Sequence, residues 1–108
     1  MVQYSKKLSD SFGAIADPTR RGILERLGRG DASITDLAET FEMTLTGMKK
    51  HVQILEDAGF VQTAKVGRVR TCSLGIRRLD AEVAWIKEYE KMVNDRFNRH
   101  EAFHERTK

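Results

Sequence analysis

The sequence predicts a mainly α-helical fold that carries one small β-hairpin. Three observations lead there. Apolar residues recur at helical spacing through the segments before Gly59. The stretch after it, "FVQTAKVGRVRTCSL", is rich in β-branched residues around a central Gly-Arg. The closing segment, "RLDAEVAWIKEYEKMVNDRFNRHEAFHE", has neither Gly nor Pro and carries a long apolar stripe. The expected order is helices 1–4, the hairpin, and a long C-terminal helix, in a single domain spanning 1–108.

The first helix is read in "SKKLSDSFGAI", residues 5 to 15, where Leu8, Phe12 and Ile15 share one face. The second follows in "ADPTRRGILERLGRG". Asp17 is a natural N-cap and Pro18 a natural first helical residue. Ile23, Leu24 and Leu27 form its buried stripe, and Gly28 and Gly30 end it. The third helix is short, "SITDLAETFEM", with Ser33 or Thr35 as cap and Leu37, Ala38 and Phe41 turned inward. A tight turn at "MT" leads into the fourth helix at 45–57.

That fourth helix has two unlike faces. Met48, Val52 and Leu55 recur at i, i+4 and i+7, with Leu45 one turn earlier on the same side. Thr46, Lys49, Lys50 and Gln53 fall opposite, and no acid appears on that face before Glu56 and Asp57. Thr44 caps the start, and Gly59 supplies the stop. A merely solvated face mixes its signs. A short-chained, cationic, hydrogen-bonding face near a helix N-terminus suits the major groove of double-stranded DNA. A short helix, a tight turn and this second helix make a helix-turn-helix.

The hairpin spans 61–74, with a two-residue turn at Gly67-Arg68 of type II′. Val61, Cys72 and Leu74 share the face expected to point at the core, and Lys65, Arg68 and Arg70 gather near the tip. A basic-tipped hairpin directly after a helix-turn-helix is a wing, able to reach phosphates or the minor groove. The bland alternative is a hairpin whose cations only guard a sheet edge. In the last helix, Leu79, Val83, Ile86, Val93 and Phe97 form one stripe, widened by Trp85, Tyr89 and Met92. This face exceeds what one small domain covers, so a homodimer is expected, with a second copy as its partner.

The whole chain narrows the function further. With 108 residues it is long enough for one small core. A net charge of +3 and a pI near 9.2 are compatible with a nucleic-acid partner. No apolar run approaches a membrane span, and "MVQYSKKLSDSF" has no apolar signal region, so a cytoplasmic protein without membrane contact is expected. The single cysteine excludes an intrachain disulfide.

In order along the chain, "ADPTRRGILERL", "SITDLAETFEMT", "KKHVQILEDAGFV" and "KVGRVRTCSL" resemble the ArsR family of bacterial winged-helix transcriptional regulators. The resemblance covers about the whole chain. It implies a homodimer joined through its first and last helices, here 1–15 and 79–104, on an operator with two-fold symmetry. It implies repression, relieved by a signal, and leaves the inducer unnamed. By position, Thr44 to Gln53 corresponds to the recognition helix and Lys65 to Arg70 to the wing.

The expected DNA contacts are Thr44, Thr46, Gly47, Lys49, Lys50, Gln53, Lys65, Arg68 and Arg70. The expected dimer contacts are Leu8, Phe12, Trp85, Ile86, Tyr89, Met92, Val93 and Phe97. The turn before the recognition helix departs from the family pattern, reading "TLTG", so no base preference carries over. Gly47 costs helix propensity but lets the backbone approach a phosphate. His51, at the edge of the buried face, is expected to make a structural hydrogen bond.

Neither cofactor nor metal is expected. The family's founding members sense metals through Cys-x-Cys on the third helix, and "ASITDLAET" has no cysteine there. Cys72 is read as a small core hydrophobe. "HEAFH", residues 100–104, does match the H-E-x-x-H zinc pattern. Two alternatives follow from it. One is a metal-responsive repressor using His100 and His104 near the dimer interface, with Asp95 and Glu105. The other is a zinc-dependent hydrolase with Glu101 as base. The second also needs a third ligand and a substrate cleft, and only "ERTK" follows.

Overall fold

The computed structural model describes residues 6–106, with side chains over 6–99. The chain divides into two compact units, one ending at Arg77 and one beginning at Arg78.

The first unit opens with helices α1 (Lys6–Ala16) and α2 (Pro18–Leu27). Their junction is tightly hydrogen-bonded. The Asp17 carboxylate accepts the N–H of Arg20 at 3.0 Å, with Pro18 opening the helix behind it. The Arg20 side chain then turns back to α1, donating to the carbonyls of Ala14 at 2.7 Å and Gly13 at 3.1 Å. Arg21 donates to the carbonyls of Ile15 and Ala16, both at 2.9 Å. A helix end leaves its last four carbonyls without helical partners and carries partial negative charge. Two guanidinium groups here satisfy all four.

Two short elements follow, β1 (Ala32–Ser33) and α3 (Ile34–Thr40). Ser33 is the cap, accepting the N–H of Asp36 at 3.0 Å. Helix α3 stops at Thr40, three residues short of the expected end. Glu42 takes φ +53, the Met43 N–H reaches the Ala38 carbonyl at 2.9 Å, and the Glu42 N–H reaches Glu39 at 3.2 Å. This is a Schellman ending with glutamate at the position that usually holds glycine. Helix α4 (Leu45–Asp57) begins at Thr44, whose hydroxyl accepts the Gly47 N–H at 3.0 Å. It ends in the same motif with Gly59 at φ +85, and the Phe60 N–H bonds the Leu55 carbonyl at 2.9 Å.

Strands β2 (Val61–Val66) and β3 (Val69–Leu74) pair antiparallel, with Val66 opposite Val69. The loop is therefore Gly67-Arg68. Gly67 has φ +63 and Arg68 does not share it, as a type II′ turn requires. Strand β1 pairs with the other edge of β3, Ala32 to Cys72 and Ser33 to Thr71, in a three-stranded sheet of order β1-β3-β2. The core gathers Ile23, Leu27, Leu37, Met48, Val52, Leu55, Val61 and Cys72, all buried.

Besides the end of α3, three expectations need correction. Strand β1 is absent from the expected order of elements, because two residues are too few to show a period. Leu74 is exposed, although it shares a sheet face with the buried Val61 and Cys72. It sits at the end of β3, past the residues that β1 pairs. Leu45 is also exposed, since the first residue of α4 projects beyond the packed turns that hold Met48 and Val52.

The second unit is one long helix, α5 (Asp80–Arg106). Asp80 and Glu82 lie in its first turn, where acids favour the helix dipole. Arg78 donates to Asp80 at 3.1 Å. Trp85, Ile86, Tyr89, Met92, Val93 and Phe97 are all exposed, from 45% at Ile86 to 64% at Phe97. The rings of Trp85 and Tyr89 stack in parallel, 5.6 Å apart. Among the described residues, no helix is long and apolar enough to cross a membrane.

Candidate nucleic-acid interface

Helix α4 presents its outer face as the sequence suggests. Met48, Val52 and Leu55 bury one side, leaving Thr46, Lys49, Lys50 and Gln53 exposed on the other. Neither Lys49 nor Lys50 makes a hydrogen bond or ion pair among the described residues. Gln53 is tethered, donating to Asp57 at 2.8 Å. The Thr44 hydroxyl is occupied as an acceptor by its cap. Gly47 has a local reason to be glycine: a Cβ there would lie 3.1 Å from that same hydroxyl.

The wing meets this helix across a groove of about 590 Å³. Lys49 of α4 lines it together with Lys65, Arg68 and Arg70 of the wing, and with Leu45. The start of α3 closes the remaining side through Ser33, Thr35 and Asp36. The strand register explains the convergence. Lys65 and Arg70 are cross-strand partners, and alternation places them on the face that also carries Val61 and Cys72. The sheet face that packs into the core thus continues outward as a cationic edge beside α4. Only Arg68 occupies the turn itself. Thr46 and Lys50 lie outside this groove, on the outward surface of α4.

Arg70 has a further connection. Its Nη1 lies 3.4 Å from the Thr63 hydroxyl, which in turn donates to the Glu56 carboxylate of α4 at 2.8 Å. Sequence reasoning missed this relay, because positions 56, 63 and 70 lie on a helix and two strands, and no single helical or strand period runs through all three elements. It also missed the role of Arg20. Besides holding α1, Arg20 donates to Nδ1 of His51 at 3.1 Å. An arginine only donates, so Nδ1 accepts and the ring proton sits on Nε2. The structural hydrogen bond expected of His51 is present, and Asp17 lies 4.0 Å from the same nitrogen.

Cys72 is fully buried. Burial pushes its thiol up to about 11, with the Glu56 carboxylate adding to the effect. It therefore stays protonated near neutral pH, which suits a packing role rather than a nucleophile. Among the described residues no cluster of three or more His, Cys, Asp or Glu side chains could hold a metal ion. The "HEAFH" side chains lie outside the described residues.

Comparison with known proteins places this geometry in a family. A family model for a helix-turn-helix domain matches residues 15–63. The transcriptional repressor SdpR of Bacillus subtilis (strain 168) is 32% identical over 82 residues, covering 76% of this chain and 91% of that protein. The crystal structure of an ArsR family transcriptional regulator aligns with a TM-score of 0.75 and 44% identity, over 87% of this chain and 97% of the other. A homodimeric winged helix-turn-helix DNA-binding domain from Mycobacterium bovis, solved by NMR, shares the fold at a TM-score of 0.61. Its identity is 22%, over 88% of this chain and 91% of its own. With helix, turn, helix and wing in place, the chain belongs to the ArsR family of winged helix-turn-helix transcriptional regulators.

Proposed function

We propose that the protein is a homodimeric repressor that binds a palindromic DNA operator. The observation that carries the reading is the shared groove between α4 and the wing, where Lys49, Lys65, Arg68 and Arg70 converge without a matching cluster of acids. Helix α4 enters the major groove with its N-terminal half. Lys49 and Lys50 neutralise phosphates, while Thr46 and Gln53 read base edges. Thr44 and Gly47 bring the helix start close to the backbone, and the wing cations reach the adjacent phosphates. Repression follows from operator occupancy, as the name of the Bacillus subtilis relative indicates for that protein. The reading is that of a binding protein, not an enzyme.

The dimer forms through Leu8 and Phe12 of α1 and the aromatic face of α5. The exposed Trp85, Tyr89 and Phe97 support this, because burying one such ring stabilises by roughly 1.5–3 kcal/mol. The Mycobacterium bovis neighbour of this fold is homodimeric, which points the same way. Each half of the operator then meets one recognition helix, with half-sites about one helical turn apart or a multiple of it.

Selection of bound sites from a random duplex pool tests both halves of the proposal. The expected product is a palindrome. A selected site without two-fold symmetry, or sedimentation of the free protein as a monomer at micromolar concentration, would refute the dimeric reading. Absence of any salt-dependent duplex binding would refute the DNA reading.

A further inference from the structure

We infer that Glu56 is a positioning residue for the wing: through the Thr63 hydroxyl it holds Arg70 in place to meet a DNA phosphate beside Lys49. The inference rests on the DNA-binding reading above and deepens it.

An acid on a recognition helix is at first sight a liability. Glu56 lies on α4, one turn beyond Val52 and two turns beyond Lys49, and repels the phosphates that its neighbours attract. Its carboxylate, however, is half-buried and committed. It accepts the Thr63 hydroxyl at 2.8 Å, a charge-assisted hydrogen bond. Thr63 Oγ1, its proton so directed, turns its remaining lone pairs elsewhere, and Arg70 Nη1 stands 3.4 Å away. Glu56 and Arg70 line one side groove of about 280 Å³ together with Lys49 and Gln53. Arg70 and Lys49 line the larger groove as well, so both face the same channel.

The physical role follows from entropy. Arg70 is exposed on a two-stranded ribbon, and a free arginine there samples many rotamers. A fixed acceptor behind it, reached through a hydroxyl anchored on the neighbouring strand, narrows that sampling before DNA arrives. The same relay ties β2 to the last turn of α4 and so restrains the angle between wing and recognition helix. Preorganisation of this kind raises affinity by lowering the ordering cost of binding.

The inference has a signature opposite in sign to simple electrostatics. Removing an acid near DNA ordinarily tightens binding. Here Glu56→Ala is expected to weaken binding of a fluorescent mixed-sequence duplex by about the same factor as Arg70→Ala, on the order of three- to tenfold. Its salt slope should shallow by about one unit, as that of Arg70→Ala does, because one fewer phosphate is neutralised. Glu56→Gln keeps an acceptor for Thr63 and should bind at least as tightly as the parent. In an Arg70→Ala background, Glu56→Ala should cause no additional loss.

Thr63→Val removes the bridging hydroxyl at nearly constant shape, and a matching loss at an unchanged melting temperature supports the relay even where Glu56→Ala does not fold. The inference is overturned if Glu56→Ala or Thr63→Val binds as tightly as a parent protein that itself binds with a normal salt slope. A parent protein that does not bind the duplex defeats the DNA-binding reading as well, so the two failures are separable.

Discussion

Arg20 and Arg21 on α2, and Lys49 and Lys50 on α4, are adjacent pairs of cations within one compact unit. Formal charge makes them equivalent. The first pair is spent on the protein itself, closing four backbone carbonyls at the end of α1 and bonding His51. The second pair has no partner among the described residues. The residue types fit these uses. A guanidinium spreads several donors over a rigid plane, so it can serve carbonyls in different directions at once. An ammonium on a flexible stem suits a phosphate whose position is set by another molecule. The net charge of +3 therefore does not count the cations available to DNA. Arg26, bonded to the Gly30 carbonyl at 2.8 Å, and Arg77, bonded to the Ser11 hydroxyl, are also engaged internally.

The largest effect expected from this contrast is on stability. Arg20→Ala removes three hydrogen bonds from a charged donor and strands part of the end of α1. The expected loss is about 1.5–3 kcal/mol in a denaturant titration. Arg20→Lys should recover little, since one ammonium cannot reach Gly13, Ala14 and His51 together. A stable Arg20→Ala protein that fails only in DNA binding would put Arg20 among the DNA contacts and erase the contrast between the two pairs.

Next in size is the lysine pair. Lys49→Ala with Lys50→Ala should leave stability within about 0.5 kcal/mol of the parent, as expected for exposed side chains. Binding should weaken across all duplex sequences, with the salt slope shallower by about 0.9 for each phosphate that is no longer neutralised. Parental binding by this double variant would remove α4 from the interface.

The smallest effect concerns acid. The backbone N–H of Arg20 holds the Asp17 carboxyl below its ordinary 3.8, which outweighs an opposing effect of burial, and the Arg20 guanidinium adds to the lowering. A carboxyl lowered on folding contributes stability that is complete above its unfolded value and lost as pH falls through its folded one. The α1–α2 junction should accordingly weaken below about pH 4. Asp17→Asn keeps a capping oxygen but cannot titrate, so its urea midpoint should vary less over that range. An equal acid response in both proteins would assign the effect to other carboxyls.

Much of the fold is legible along the chain because its signals are local. Asp17 with Pro18, Thr44 with Gly47, and Gly67 with Arg68 each settle their structure within four residues. The end of α3 shows where locality misleads. Both α3 and α4 close with a Schellman motif, but α4 marks it with Gly59 and α3 with Glu42. A left-handed glutamate leaves no compositional trace, so the helix reads three residues too long. The candidate interface divides in the same way. Its outer α4 face follows from a 3.6-residue period, whereas the relay from Glu56 to Arg70 requires knowing which strand lies against the last turn of α4.

The order of the five helices and the hairpin, the helix starts, the hairpin turn and the cationic face of α4 are all written along the chain. Periodicity, capping and turn chemistry act between near neighbours and need no distant partner. Packing in three dimensions settled the rest: which cations stay free, why Leu45 and Leu74 lie outside the core while Cys72 lies within, and that Ala32–Ser33 becomes a third strand. Burial and hydrogen-bond commitment belong to pairs of surfaces. Whether a side chain is covered, or a donor occupied, depends on an element that arrives from elsewhere in the chain, and no local pattern encodes that arrival.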